Sequence, residues 1–359
     1  MKVCFVHDHP FFIKDQQVYS PAGLSYTVWN RYLLNRENHL TVYAREQFVQ
    51  NKGVVSSGQN VTFKLSSCYK KPIHALLYKR RIEKEVHDLI VSNDVFVIRL
   101  PSILGFFAIN ECLKCNKKYV VEVVANAFDA YFYYGNILGK IIAPFPHLLT
   151  KYFVNKSLYV LYVTKFYLQS IYPAKNAIST ISCSNVVLNV SKQNLLLKRL
   201  DRISQQSLSN TLVCGQIGNV GIKFKGYHVM LKAVKYLKLK YHIKVKYVIA
   251  GPGNSENLEI LSKKLGIRDQ IEFIGGLSRE EIFEFLEKVD IYVHPSFQEG
   301  LPRAVIEAMS CACPCVTSNV AGTPELLSSE ILHSPGDYKK LANDIYLLYN
   351  NVELRKKIC

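Results

Sequence analysis

Two stretches of this chain open in the same way. Residues 2–7 form a short apolar run, followed by polar turn residues, the glycine turn Pro21-Ala22-Gly23, and helical apolar spacing over 24–34. Residues 211–217 form another apolar run with a glycine-bearing turn. They are followed by 227–240, where Val229, Met230, Ala233, Val234 and Leu237 share one face and lysines the other. Strand, glycine turn and helix is the opening of a doubly wound α/β unit. Apolar runs at 95–98, 119–124 and 158–163 continue the first unit, and runs at 245–250, 271–274 and 291–293 the second. Ser278 with Glu281 predicts a capping box, so a helix starts there, with Ile282, Phe285, Leu286 and Val289 as its core stripe. The polar stretch 191–210 reads as a linker. The chain is thus expected to be α/β, with two Rossmann-like doubly wound domains facing a central cleft: residues 1–190, a linker at 191–210, and residues 211–359. A length of 359 residues suits two domains.

Charge and cysteine content narrow the function. Lys and Arg number 45 against 28 acids, a net charge of +17 that implies an anionic partner: nucleic acid, an anionic membrane face or a phosphate-bearing substrate. Cys112 and Cys115 form a lone CxxC with no second pair or His cluster to complete a zinc site. Cys311, Cys313 and Cys315 alternate in an apolar run. Both sets read as buried thiols of a reducing cytoplasm. The start MKVCFVHD carries no secretory signal, and no run approaches the ~18 apolar residues of a membrane span.

The most informative stretch is 294–309, HPSFQEGLPRAVIEAM. Pro302 suits a first helical turn. Glu299 then precedes a helix and Glu307 lies within it, with seven residues between them. The N–H groups of Gly300 and Leu301 stand at the positive end of that helix, an anion site. A phosphate there would leave Glu299 near one end of the ligand and Glu307 near vicinal hydroxyls, which describes a sugar nucleotide. The spacing alone fits a plain helix start and a solvated glutamate better, because paired glutamates are common.

The same stretch carries a family resemblance. With Cys313-Pro314-Cys315-Val316 and Ala321-Gly322-Thr323-Pro324-Glu325-Leu326, it resembles the donor-site signature of retaining family 4 glycosyltransferases, the group 1 class with the GT-B fold. Lys225-Gly226, Gly251-Pro252-Gly253 and Phe273-Ile274-Gly275 match further elements of that pattern. In the first domain the likeness rests on Ala22-Gly23 and on 121–129, which resemble bacterial members that build O-antigen or capsular polysaccharide. The resemblance implies a metal-independent retaining enzyme of cell-surface polysaccharide synthesis. It would move a hexose-type sugar from a UDP- or GDP-linked donor to a lipid-linked saccharide at the inner face of a bacterial membrane. It implies that Glu307 binds the ribose hydroxyls and Glu299 the transferred sugar. Lys225 with the backbone of Gly300 and Leu301 would hold the diphosphate, Gly23 would approach it from the other domain, and the backbone near Leu277 would touch the base.

The chain departs from the pattern in places. Gln216 stands where the family often has an Arg, and Ala22-Gly23 and Ala321-Gly322 replace GG pairs. Asp129 is the candidate catalytic group of the first domain, in place of the family's usual His, and also fits a turn or capping Asp. His7 and His9 follow the first strand and fit structural roles. With no D-x-D motif, no metal is implied, and no cofactor is expected beyond the nucleotide sugar. The final helical pattern, at 338–348, leaves little chain for a helix crossing back to the first domain. The stretch 69–85 sets Lys70, Lys71, Lys79, Arg80, Arg81 and Lys84 beside Ile73, Leu76, Leu77 and Tyr78. It reads as a patch for anionic lipid or as a solvated helix face. Two rival functions start from the same numbers. A nucleic-acid-binding protein would explain +17, but no recognition module is present. A dinucleotide oxidoreductase would explain tandem Rossmann-like units, but no GxGxxG follows a strand.

Overall fold

The computed structural model describes residues 1–359 apart from 22, 34, 36, 49–52, 69–71, 134–136, 187, 189–193 and 206–210, and apart from the side chains of 72, 73, 76 and 138. The chain divides into two compact units, residues 1–128 with 142–185 and residues 129–141 with 186–359.

In the first unit the strands are β1 (Lys2–Lys14), β2 (Gln17–Ser20), β3 (His39–Glu46), β4 (Val54–Val55), β5 (Val61–Ser66), β6 (Val95–Leu100), β7 (Tyr119–Val123), β8 (Tyr159–Tyr162) and β9 (Ser179–Ser182). The parallel part runs β5-β3-β1-β6-β7-β8-β9. Val3, Cys4, Phe5 and Val6 are all buried, as expected of a central parallel strand covered on both faces. The order reverses between β1 and β6, so this unit has its switch point there.

Three local expectations fail in this unit. The first strand does not end at His7; it shifts register after Val6 and runs on to Lys14, and its far end pairs antiparallel with β2. Asp15 and Gln16 both have positive φ, which suits the tight turn of a hairpin. His7 and His9 therefore lie within a strand. The predicted helix over 24–34 is only a 3-10 helix, Tyr26–Arg31, anchored by the fully buried Trp29, whose indole N–H donates to the Ser56 carbonyl at 3.0 Å. Cys112 is buried but Cys115 is exposed, so the CxxC is not a pair of core thiols.

The second unit contains β10 (Leu212–Ile217), β11 (Val245–Ala250), β12 (Ile271–Gly275), β13 (Ile291–His294), β14 (Cys315–Ser318) and β15 (Leu332–His333), all parallel, in the order β12-β11-β10-β13-β14-β15. Counted within the unit this is 3-2-1-4-5-6, the Rossmann order, with its switch point between β10 and β13. The helix Tyr227–Tyr241 buries the predicted stripe, and the capping box at Ser278 forms as the sequence predicts. Cys311, Cys313 and Cys315 are buried thiols.

The linker reading of 191–210 fails where it can be checked. Leu195–Gln205 is a helix, and residues 191–193 and 206–210 lie outside the described set. Arg199, almost fully buried, donates to the carbonyls of Leu286 (2.8 Å) and Val289. Arg202 donates to those of Glu287 (2.7 Å) and Lys288 (2.6 Å) and pairs with Asp290 at 2.7 Å. The last turn of a helix leaves its carbonyls without intrahelical partners. Here two arginines satisfy that turn of Arg279–Lys288, so polar residues that resemble a linker in sequence are packed structure. The helix Val352–Lys357 packs on Leu195–Gln205 in the same unit.

Candidate active site

Two loops leave the sheet of the second unit at its switch point. One follows β10 and ends in the short 3-10 turn Lys223–Lys225; the other follows β13 and carries residues 295–302. They are bound to each other. The Phe297 N–H donates to the Phe224 carbonyl at 2.7 Å, and Ser296 Oγ donates to the same carbonyl at 3.1 Å. Gln216, fully buried on β10, donates from its amide nitrogen to the Lys225 carbonyl at 2.8 Å and accepts from the Tyr247 hydroxyl. The residue that stands in place of an arginine is thus the anchor of the lysine loop.

This frame brings a lysine ammonium and a histidine ring nitrogen onto one carboxylate oxygen. Lys225 Nζ and His294 Nε2 each lie 2.7 Å from Glu299 Oε1. An ionised carboxylate only accepts, so Nε2 carries the histidine proton. The Tyr292 hydroxyl lies 3.5 Å from Nδ1 and accepts from the Ile217 N–H at 3.3 Å. Burial alone would raise the Glu299 carboxyl, but the Lys225 and His294 charges and their hydrogen bonds hold it well below the usual carboxylate range. Glu299 is therefore an anion across the working pH range.

The helix Arg303–Ser310 begins after Pro302, as the sequence predicts, with Gly300 and Leu301 just before its positive end. Glu307 lies inside it, partly buried, and burial raises its carboxyl against the opposing pull of Arg303 and Arg279. Leu277, ahead of the helix Arg279–Lys288, packs into the cluster that includes Val305 and Ala308. Glu299, Lys225, Gly300, Leu301, Glu307 and Leu277 thus all border the switch point or the helix leaving it. Asp129 stands in the first turn of the helix Ala127–Phe132, and its backbone reaches the same loop. With its amide nitrogen towards Asp129, Gln298 donates to the Asp129 carbonyl and accepts from the Ala130 N–H, both at 3.1 Å.

The remaining candidates belong to the first unit. Gly23 has φ +83° and is exposed, and Ala22 lies outside the described residues. His9 Nε2 meets Ser20 Oγ at 2.7 Å. His7 Nδ1 is buried with no hydrogen-bond partner among the described residues; burial first, then Arg99, His9 and Arg45, push its pKa well down, so the ring is neutral. Asp8 between them accepts from the Ile103 (2.6 Å) and Leu104 (2.9 Å) N–H groups and from Ser102 Oγ (2.9 Å), which ties β1 to the start of a helix. Glu122 pairs with buried Arg99 at 2.9 Å and accepts from the Tyr32 hydroxyl at 2.8 Å, a structural arrangement.

Residues 198–358 match the family described as Glycosyl transferases group 1. Over 345 residues the chain is 34% identical to the protein CapJ of Staphylococcus aureus, covering 95% of this chain and 84% of that one. The chain belongs to the group 1 glycosyltransferases. A second relative, the capsular polysaccharide biosynthesis glycosyltransferase CapM of S. aureus, is 25% identical over 45% of this chain and 42% of its own. The fold of this glycosyltransferase is GT-B. The Anabaena protein HepE, solved in complex with UDP, superposes with a TM-score of 0.68 at 16% identity, covering 100% of this chain and 92% of that one. WaaG, a glycosyltransferase involved in lipopolysaccharide biosynthesis, superposes with a TM-score of 0.67 at 14% identity, covering 99% and 92%.

Sequence reasoning missed His294 as a site residue of this glycosyltransferase. A usable signal existed: it is the last residue of a predicted strand and stands five positions before the glutamate. In a Rossmann order that places it on the strand beside β10, where the lysine loop arises. Gln216 was visible only as a departure, because a glutamine's value as an anchor depends on which carbonyl lies opposite.

Proposed function

We propose that this glycosyltransferase is a retaining, metal-independent family 4 enzyme that transfers a hexose-type sugar from a UDP- or GDP-linked donor to a lipid-linked saccharide. The observation that carries this reading is the convergence of Lys225 and His294 on Glu299 beside the start of the helix Arg303–Ser310. A cation next to a helix's positive end suits a diphosphate, and an ionised carboxylate beside it suits sugar hydroxyls. As the nucleotide leaves, negative charge builds on its diphosphate, and donors already in place stabilise that charge without reorganising. Gly23 is assigned to the same diphosphate, Leu277 to the base, and Asp129 to the place of the family's catalytic histidine. Lys225 and the helix end are assigned the work a divalent ion would do. The resemblance to CapJ and CapM supports capsule-type polysaccharide synthesis, and the UDP complex of HepE supports a nucleotide donor. A thermal-shift screen of UDP- and GDP-sugars tests the reading. One of them should raise the melting temperature more than its parent nucleoside diphosphate, and stabilisation by none would refute it.

Glu307 is assigned to the ribose diol. Glu307→Gln keeps the shape and removes charge-assisted acceptance, worth about 1.5–3 kcal/mol for such a bond. Calorimetry should show donor affinity lower by about 10- to 150-fold, with the melting temperature close to the parent's. Unchanged affinity would move the ribose elsewhere.

The lipid-linked acceptor calls for a membrane-facing surface. Among the described residues no helix is long and apolar enough to cross a membrane. Of the basic stretch, Lys70 and Lys71 lie outside the described residues. Lys79 and Arg81 pair with Glu83 (3.8 Å) and Glu85 (3.6 Å) along the helix Lys79–Ser92. Leu77 and Tyr78 are exposed beside them, and Phe145, Leu148 and Tyr152 are exposed on the helix Pro144–Lys156. Apolar side chains flanked by lysines suit a reversible contact with anionic lipid, at about 1 kcal/mol per basic residue. In vesicle sedimentation, binding should rise with anionic lipid content, weaken with salt, and fall when Lys79, Arg80 and Arg81 become Ser. Equal binding to neutral vesicles, or no loss in the variant, would return this stretch to an ordinary solvated helix.

A further inference from the structure

Lys225 Nζ, bonded to Glu299 at 2.7 Å, is the same group assigned above to a donor's diphosphate, whose charge competes with the carboxylate for it. We infer that the Lys225–Glu299 pair is the donor-free state of the site, and that His294 is the positioning residue that holds Glu299 when Lys225 turns to the diphosphate. This rests on the donor site proposed above.

Three observations assign the moving part to the lysine. First, both donors use the same oxygen, Oε1, which leaves Oε2 for a ligand hydroxyl. Second, the two differ in freedom. The His294 side chain is 1% exposed and ends a fully buried strand, so its ring has nowhere to go, whereas Lys225 is 20% exposed on a flexible stem. The carbonyl of Lys225 is tied to Gln216, so the side chain can swing while the loop stays. Third, there is room along the stem. A Cβ on Gly218 would lie 3.7 Å from Lys225 Cδ and Cε and 3.0 Å from the Tyr227 hydroxyl, so the bare glycine leaves that side open. The Tyr227 hydroxyl is buried there with no hydrogen-bond partner among the described residues, and the nearby Glu299 charge adds to burial in raising its pKa. A buried hydroxyl without a partner fits a site whose second arrangement differs from the first. Without His294, the departure of Lys225 would strand a buried carboxylate, which is costly. With His294, Glu299 keeps one charge-assisted hydrogen bond and its orientation towards the sugar.

The test compares two ligands by calorimetry on the full chain: the nucleotide sugar that stabilises the parent protein best, and its nucleoside diphosphate. His294→Leu should weaken both ligands, because each draws Lys225 away from Glu299 and leaves the buried carboxylate without its partner. It should weaken the nucleotide sugar at least tenfold more than the nucleoside diphosphate, because only the sugar also depends on how Glu299 is oriented. His294→Gln, whose amide nitrogen can donate to Oε1, should recover most of the loss. Lys225→Met should weaken both ligands. If the leucine variant does not fold, His294→Asn, an amide too short to reach Oε1, takes its place. A His294 variant that loses both ligands equally, or neither, overturns the inference while the donor site stands. A parent protein that binds neither ligand overturns the donor site itself.

Discussion

Changing Glu299 to glutamine should leave a folded protein whose turnover is lower by about 10²- to 10³-fold, the range seen when one preorganised polar contact to a reacting centre is removed. Two effects act together. The variant loses the charge that strengthens hydrogen bonds to sugar hydroxyls, about 1.5–3 kcal/mol for each bond. It also frees Lys225 from its partner, and an unopposed lysine beside a helix's positive end binds a bare diphosphate at least as well as before. Calorimetry should therefore show nucleoside diphosphate affinity unchanged or higher, while kcat falls. Breaking a buried ion pair from one side typically costs about 3–5 kcal/mol. The cost here should be smaller, because Lys225 is 20% exposed and can reach water, and an amide oxygen still accepts from His294. Turnover within threefold of the parent would remove Glu299 from the reaction.

The second large effect is expected at Gly226, for steric rather than electrostatic reasons. Its φ is +73°, and a Cβ there would sit 1.9 Å from the Pro295 carbonyl oxygen and 2.7 Å from its carbon. Both are backbone atoms of the loop that carries Glu299, and neither can rotate away. Gly226→Ala must push the lysine loop and the glutamate loop apart, breaking the Phe297–Phe224 hydrogen bond at 2.7 Å and separating Lys225 from Glu299. Gly266 is the control. Its φ is +70°, almost the same, but nothing lies within 4 Å of its missing Cβ. Left-handed backbone alone costs an alanine about 1–2 kcal/mol. Gly266→Ala should therefore show that cost in denaturant unfolding, and Gly226→Ala several times more or no soluble protein. Equal losses would mean that the two loops do not press on each other at this point.

The same contrast between local and distant causes explains what could be read in advance. Strands of the second unit were legible because Val245–Ala250 and Ile271–Gly275 are apolar runs, each with a single charged residue, that end in glycine turns. The capping box at Ser278 was legible because it is a contact within four residues. Glu299 and Glu307 were legible because one loop and one helix carry both. The hairpin at Asp15-Gln16 was not, since neither residue is glycine or asparagine and yet both adopt positive φ. The helix Leu195–Gln205 was not, since its arginines gain their meaning from carbonyls nearly ninety positions on, at Leu286 to Val289. His294 was overlooked for a related reason: the carboxylate it serves is close in sequence, but the lysine that makes it necessary arrives from a different strand.

Slow hydrolysis of the donor offers the most direct test of the central claim, because it needs no acceptor. The protein is incubated in excess chelator with the nucleotide sugar that stabilises it best, and the anomeric proton of the released sugar is followed by NMR before mutarotation. The account predicts release without added metal, in the same anomeric configuration as the donor, and slowed by about 10²- to 10³-fold in Glu299→Gln. Release of the opposite anomer, or release only when a divalent ion is restored, would contradict it.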